Sequence, residues 1–360
     1  MKRCRGAVCR RTRSPHLLVC AVVAAGLAAC GSTSAGGGGS TTVRLGYLPN
    51  LTNATAMVAV QKGFFSARLG SGVTLKTQSF NAGPAEVEAI FGGALDAGYF
   101  GPNPAINAFV RTHGEKVRVV AGATSGGASL VVRSDSGITS AADLRGKRIA
   151  TPQLGNTQDV ALRTYLAANG LHVNPQGDGD VKILPTDNST TLTLFKSGKL
   201  DGAWVPEPYA TRLIDEAGGV LLVDEATLWP GGRLATTLLV VSTDLLRSHR
   251  DIVRDLVEGQ LDAESYIAEH TDDAQTAVQA QLKTLTQKAL SDQVLSDAWS
   301  RLTFTHDPIA SSLAKEASDA HAAGVVGGAD IRGIVDLSVL NEVLRARGET
   351  TVDDGGLGSA

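Results

Sequence analysis

Five short segments, residues 50–55, 81–84, 124–127, 153–157 and 186–190, are rich in glycine, serine, threonine, asparagine or glutamine, and each precedes a helix or a turn. Hydroxyl and amide side chains at a strand-to-helix junction stand beside N–H groups with no intrahelical partner, at the positive end of the helix dipole. That combination holds a small anion without lysine or arginine. The same residue types also serve as ordinary helix N-caps, so the anion reading depends on the five segments sharing one edge of the fold. Tyr99 and Trp204 each lead into a proline-rich turn, Gly101-Pro102-Asn103-Pro104 and Pro206-Glu207-Pro208. Both rings are candidate cleft walls, since proline fixes the backbone beside them, although an aromatic at a strand end also suits a core. Glu207 has two readings: a receptor for a ligand's ammonium group, or a surface ion pair with Arg212.

Catalytic chemistry has little to build on. His113, His172, His249, His270, His306 and His321 are scattered, with none at metal-ligand spacing from another. There is no nucleophile elbow, no phosphate-binding loop with its lysine and, past Cys30, no thiol. The chain reads as a binder rather than an enzyme, with no cofactor and no metal.

The elements that must position these segments alternate. Strand-like runs at 43–48, 73–80, 97–100 and 117–123 are interleaved with helical patterns at 54–62, 84–91 and 105–112. A second series follows, with strands at 148–151, 181–184 and 203–205 and helices at 157–169 and 190–196. This is the pattern of an α/β fold with a largely parallel sheet. The series share motifs: P-x-L-x-N at Pro49–Asn53 and Pro152–Asn156, then G-x-L-D at Gly93–Asp96 and Gly198–Asp201. Two similar lobes result. Residues 128–133 would cross out of the first lobe and the apolar strand 236–242 would cross back, making a two-segment hinge. Beyond it the chain reads as helical to about Arg347, with start signals at Thr271, Ser291 and Asp336.

The N-terminus is of another kind. Residues 1–29 carry six basic and no acidic side chains, and 17–29 form an apolar stretch too short for a stable membrane span. This predicts an export signal over 1–29. It ends Leu27-Ala28-Ala29-Cys30-Gly31, which resembles a bacterial lipobox, so Cys30 is the expected lipid anchor and residues 30–41 a flexible tether. Without 1–29 the chain holds 27 Lys/Arg against 36 Asp/Glu, a net charge of −9, which excludes a nucleic-acid binder. The working part is expected on the extracytoplasmic face of the cell membrane.

Arg44-Leu45-Gly46-Tyr47, Lys62-Gly63-Phe64-Phe65, Gly93-Ala94-Leu95-Asp96-Ala97, Asp143-Leu144-Arg145-Gly146-Lys147, Gly155-Asn156-Thr157 and Trp204-Val205-Pro206-Glu207-Pro208-Tyr209 together resemble the substrate-binding proteins of bacterial ABC importers, in the nitrate/sulfonate/taurine group. The likeness spans about residues 43–260. It implies a type II periplasmic-binding-protein fold, with lobe 1 at 42–132 plus 236–350, lobe 2 at 133–235 and a flexible tail at 351–360. It also implies a monomer that closes on one small anionic solute and docks on a membrane permease. By matching position, it carries ligand binding onto Asn53, Gly83, Asn103, Ser125, Asn156, Thr157 and Trp204, with Gln153 and Glu207 behind them. An aliphatic sulfonate or taurine is the leading ligand, with nitrate or bicarbonate as alternative. A distant branch handles thiamine-precursor heterocycles with a cysteine-rich motif, from which this cysteine-poor chain departs.

Overall fold

Runs of small and β-branched residues between glycine-marked turns form the strands, and the computed structural model, which describes residues 41–358, arranges them in two sheets. The export signal, Cys30 and the tether up to residue 40 lie outside the described residues. Lobe 1 begins with β1 (Thr41–Tyr47), α1 (Ala54–Gln61), α2 (Phe64–Leu69), β2 (Val73–Ser79), α3 (Gly83–Phe91), β3 (Ala97–Phe100), α4 (Pro102–Arg111) and β4 (Val117–Gly126). Lobe 2 holds β5 (Ala128–Arg133), β6 (Arg148–Thr151), α5 (Thr157–Ala168), β7 (Lys182–Pro185), α6 (Asn188–Lys196), β8 (Gly202–Pro206), α7 (Tyr209–Asp215) and β9 (Gly219–Asp224). The chain returns through β10 (Ala235–Ser242) to α8 (Thr243–Ser248), α9 (Arg250–Glu269), α10 (Thr271–Thr286), α11 (Asp292–Trp299), β11 (Leu302–Phe304), α12 (Ala310–Ala322) and α13 (Ser338–Arg347).

The strand order is β11-β4-β10-β3-β1-β2 in lobe 1 and β7-β6-β8-β5-β9 in lobe 2. Both sheets are mixed rather than largely parallel. Among the described strands β1 runs parallel to β2 and β3, and β6 to β7 and β8, whereas β5, β10 and β11 pair antiparallel with their neighbours. The first crossing also falls earlier than expected. β5 pairs wholly inside lobe 2, so the chain leaves lobe 1 at Gly126-Gly127, whose φ angles of +77° and +74° suit glycine. At Gly127 a Cβ would also lie 2.1 Å from Leu302 Cδ2.

The repeated G-x-L-D motif has a structural role. In lobe 1 Asp96 accepts hydrogen bonds from the backbone N–H and Nε of Arg44 (both 2.8 Å), and Arg44 also donates to Gly93 O. In lobe 2 Asp201 accepts from Arg148 N at 2.8 Å and Nε at 3.0 Å, and Arg148 donates to Gly198 O. Each aspartate thus clamps an arginine of the strand one place in from the edge of its sheet, β1 in lobe 1 and β6 in lobe 2. Period-two alternation divides the lobe 2 core over both faces of its sheet. Leu130, Ile149 and Trp204 lie on one face; Val131, Ala150, Ala203 and Val205 lie on the other.

Four elements go beyond the sequence reading: α2, α7, the edge strand β9, and β11, which interrupts the expected helical C-terminal run by pairing with β4. The flexible tail is corrected for 351–358. Leu357 is buried, its carbonyl accepts from Gly333 and Val335, and Val352 exchanges hydrogen bonds with the Asn341 side chain. Among the described residues no helix is long and apolar enough to cross a membrane.

Candidate functional site

Four helices begin at the junction of the lobes: α3 and α4 from lobe 1, α5 and α6 from lobe 2. Ala82, Gly101 and Asp187, at the starts of α3, α4 and α6, give no side-chain cap; since Pro84, Pro102 and Pro104 carry no N–H, the uncapped first-turn donors are those of Gly83 in α3, Asn103 in α4, and Asn188, Ser189 and Thr190 in α6. At α5, Asn156 caps Asp159 N with its Oδ1 at 2.9 Å, which still leaves the N–H groups of Thr157 and Gln158 without an intrahelical acceptor. Ala82, Gly83, Gly101, Asn156, Thr157 and Asn188 line one cavity. Lobe 1 adds Asn50, Thr52 and Asn81, together with Thr236 and Thr237 from the returning strand β10.

Among the described residues no lysine, arginine, aspartate or glutamate lines this cavity. Its donors are backbone N–H groups, amides and hydroxyls at converging helix N-termini, a field that favours negative charge. Thr157 Oγ1 and Asn188 Oδ1 are buried there without a hydrogen-bond partner. Such atoms are costly unless a ligand or water satisfies them. The cavity is tight: about 20 Å³ is open to the centres of water-sized molecules, little more than the roughly 10–15 Å³ that one water requires. The lobes meet closely here, since a Cβ on Gly101 of lobe 1 would lie 2.2 Å from Thr157 Oγ1 of lobe 2.

A vestibule of about 370 Å³ adjoins the cavity, sharing Leu48, Asn50, Asn81 and Asn188 with it. The vestibule wall is mixed, setting Phe80, Leu192, Tyr209, Leu282, Leu285 and Leu290 among polar side chains such as Ser79, Ser189, Thr193 and Thr286. Asp187, Arg212 and Lys288 are the charged side chains on its lining.

Of the nine sequence candidates, the structure brings Gly83, Asn156 and Thr157 onto the cavity wall. Asn53 braces the first loop from within: its Oδ1 accepts from Leu48 N at 3.1 Å and its Nδ2 donates to Asn50 Oδ1 at 2.9 Å. Asn103 lies inside α4, which starts three residues earlier than its pattern suggested, and donates to Glu316 Oε2 at 2.8 Å behind the wall. Ser125 belongs to β4, and its Oγ accepts from Leu234 N at 3.4 Å. Gln153 is half-buried and stands off the lining.

Trp204 is corrected as a cleft wall. It is fully buried in the lobe 2 core, edge-on to Tyr165, and its Nε1 donates to Glu225 Oε2 at 2.7 Å. Tyr99 plays the matching part in lobe 1, with its hydroxyl on Gln260 Oε1 at 2.8 Å. Glu207 fits neither of its readings. It is fully buried at the junction, its Oε2 accepts from Thr211 N at 3.1 Å, and Arg301 approaches Oε1 at 3.4 Å, while Arg212 pairs with Glu216.

Burial raises the Glu207 carboxyl to about 7 against the opposing pull of the Thr211 hydrogen bond and Arg301. Burial likewise raises Glu225 to about 7, opposed by the Trp204 hydrogen bond. Glu316 is pushed well up, first by burial and then by the charge of Glu225. Sequence reasoning missed Asn50, Thr52, Asn81 and Asn188 as named candidates, although all four fall in the polar segments it singled out. Thr236 and Thr237 sat unnoticed in an apolar strand read only as a hinge.

Two α/β lobes, joined by crossing strands and meeting over a polar cleft, define the type II periplasmic-binding-protein fold. The alkanesulfonate-binding protein SsuA from Xanthomonas axonopodis pv. citri has this fold, with a TM-score of 0.67 at 18% identity over 80% of this chain and 95% of that one. So does the periplasmic nitrate-binding protein NrtA from Synechocystis PCC 6803, with a TM-score of 0.69 at 14% identity over 85% and 89%. The NMT1-like family model matches residues 36–282, and the chain belongs to that family. The taurine-binding periplasmic protein of Escherichia coli (strain K12) is 28% identical over 199 residues, 55% of this chain and 59% of that protein. A Brucella abortus (strain 2308) protein named only as a binding protein is 34% identical over 168 residues, 46% of this chain and 48% of that protein. The chain thus spans about half the length of the curated relatives it matches.

Proposed function

We propose that this protein is the extracytoplasmic receptor of an ABC importer and captures a small organic anion, an aliphatic sulfonate or taurine. The observation that carries the reading is the continuity of two chemistries. A charge-free cavity of helix N-termini, amides and hydroxyls suits an oxyanion head, and the leucine, phenylalanine and tyrosine side chains in the mixed wall of the vestibule suit the carbon chain behind it. The taurine-binding and alkanesulfonate-binding relatives support the same class. Gly83, Asn156 and Thr157 are the proposed head-group contacts, joined by Asn81 and Asn188. Glu207 is a junction group that acts on closure without touching the ligand. The loaded receptor would deliver to a membrane permease as a monomer, held to the cell membrane through a lipid on Cys30.

Nitrate or bicarbonate is the second reading, and the small volume of the deep cavity favours it. Calorimetric titration of the chain from residue 40 onward with ethane-, butane- and hexanesulfonate, taurine, nitrate and bicarbonate separates the two. Affinity that grows with chain length supports a sulfonate, and tightest binding of a bare inorganic ion overturns it. The anchor has its own test: Cys30→Ala releases the protein from membranes into the soluble fraction, and unchanged fractionation removes the lipid from the proposal.

A further inference from the structure

Arg118, Arg247 and Arg250 gather at the end of lobe 1 remote from the cleft. They line a cavity of about 330 Å³ with Thr243, Leu246, Asp336 and Ser338. Strand β10 runs from Thr237 at the cleft to Ser242, just before Thr243, so the two cavities are about 20 Å apart at ~3.3 Å per residue. Nothing in the proposed solute binding uses these arginines.

The guanidinium of Arg118 is held in place. Its Nη1 donates to Gly114 O and to Val117 O, and its Cζ lies 5.5 Å from the centroid of the Phe109 ring. Its Nε and Nη2 make no hydrogen bond among the described residues. Arg247 makes no hydrogen bond or ion pair with any described residue. Arg250 is tied to Glu342 and to the hydroxyl of Ser338. The one carboxylate on the lining, Asp336, is engaged through Oδ1 by the N–H and hydroxyl of Ser338. Arg118 titrates below the usual arginine range, first because it is partly buried and then because Arg247 repels it, with Asp336 opposing. Arg118 and Arg247 thus line one cavity whose carboxylate, Asp336, is already engaged by Ser338 among the described residues. Guanidinium forks match tetrahedral oxyanions through paired N–H groups, and the cavity exceeds a bare oxyanion in size, leaving room for a substituent.

We propose that this cavity is a second anion site, which takes a phosphate group through Arg118 and Arg247 with Arg250 at its rim. The phosphate can be free, as inorganic phosphate or a phosphate monoester, or it can be a lipid headgroup. The test uses residues 40–360, which form one compact unit of the chain. Sodium phosphate and glycerol phosphate are titrated by calorimetry against chloride of equal ionic strength, and flotation is measured with phosphatidylcholine vesicles with and without phosphatidic acid. Saturable binding of the soluble phosphates assigns a free ligand, and flotation limited to phosphatidic acid vesicles assigns a headgroup. Either supports the site, provided Arg247→Gln and Arg118→Gln each weaken it about tenfold or more and Thr157→Val, in the cleft, leaves it unchanged. Binding that persists in both arginine variants, or is absent from both arms, overturns the proposal. Phosphate binding lost in the arginine variants but kept in Thr157→Val belongs to this cavity, and binding lost only in Thr157→Val belongs to the cleft, so the two readings fail separately.

Discussion

Gly101→Ala tests whether closure of the lobes limits capture. The glycine sits at φ −69° and ψ 162°, an ordinary extended conformation, so alanine strains no backbone. Within lobe 1 the substitution should be neutral, or stabilising by about 0.4–1 kcal/mol through the unfolded chain. Across the junction it is not neutral. The new Cβ would stand 2.2 Å from Thr157 Oγ1, 3.2 Å from Thr157 Cβ and 3.4 Å from Thr236 O. Turning the threonine rotamer moves Oγ1 but leaves the Cβ contact, which is relieved by a shift of a few tenths of an ångström between the lobes and so disfavours the fully closed form. Overpacking of this kind costs about 1–3 kcal/mol, which lowers affinity roughly 5- to 150-fold if only the closed form holds ligand. The assay pairs titration with the tightest-binding anion, thermal unfolding without ligand, and small-angle scattering. The expected result is weaker binding, an unchanged or higher unfolding temperature and a larger radius of gyration. Wild-type affinity in the variant, or an affinity loss matched by an equal loss of unliganded stability, would refute the closure argument.

Thr157→Val removes a buried hydroxyl that has no partner within the protein. Unliganded stability should hold or rise, while anion affinity falls by about 1.5–3 kcal/mol if the hydroxyl donates to a charged head; unchanged affinity takes Thr157 out of the site. The junction carboxyls set a pH dependence. Glu207 and Glu225 titrate near 7 when folded against a reference of 4.5, so the folded state binds these protons more tightly than the unfolded one. Their contribution is complete below about pH 4.5 and is lost as pH rises through 7, on the order of 3 kcal/mol each. Unfolding temperature should therefore fall from pH 5.5 to 8.5, and the Glu225→Gln variant should flatten that slope; an equally steep slope in the variant counts against the assignment. Asp96→Asn and Asp201→Asn each break one strand clamp. With the arginines 41% exposed at their side chains, solvent screening keeps the loss to about 1 kcal/mol, read as a shift in the urea midpoint. A large loss in one lobe with none in the other would show that the two clamps are not equivalent.

Much of this architecture was legible because it follows from local rules. Alternating strands and helices, the start of α5 at Asn156-Thr157 and the repeated G-x-L-D all depend on residues a few positions apart. The site was legible as segments but only partly as residues. Asn103 and Ser125 have the right chemistry and sit next to the cleft. However, Asn103 turned out to lie inside a helix and Ser125 inside a strand, and a shift of one position in either element turns a side chain from the cavity to the packing behind it. Trp204 shows the same limit. Its neighbours Ala203 and Val205 face one side of the sheet and the indole the other, against α5. Nothing in a run of five apolar residues tells which face a cleft will occupy. Glu207 was unreadable for a different reason: its environment is made by Arg301, nearly a hundred residues later in the chain.

An acidic protein that binds an anion needs its local field to outweigh its net charge. The −9 carried beyond residue 29 is a sum over the whole length of the chain, and charges farther than about 8 Å are largely screened at physiological salt. The helix N-termini at the cavity act at contact distance, in a pocket lined by no charged group. At about 1 kcal/mol for each favourably placed helix end, four ends supply roughly three orders of magnitude in affinity. Dipoles also differ from a lysine in what they do without ligand: they need no counter-ion and leave no bare cation between the lobes as these approach. On this view a cation placed in the cavity, as in Asn156→Lys, should not improve capture. It would bring charge into a space with about 20 Å³ to spare and hold the lobes apart. Tighter anion binding by that variant would show that charge, rather than the fit of converging helix ends, limits affinity.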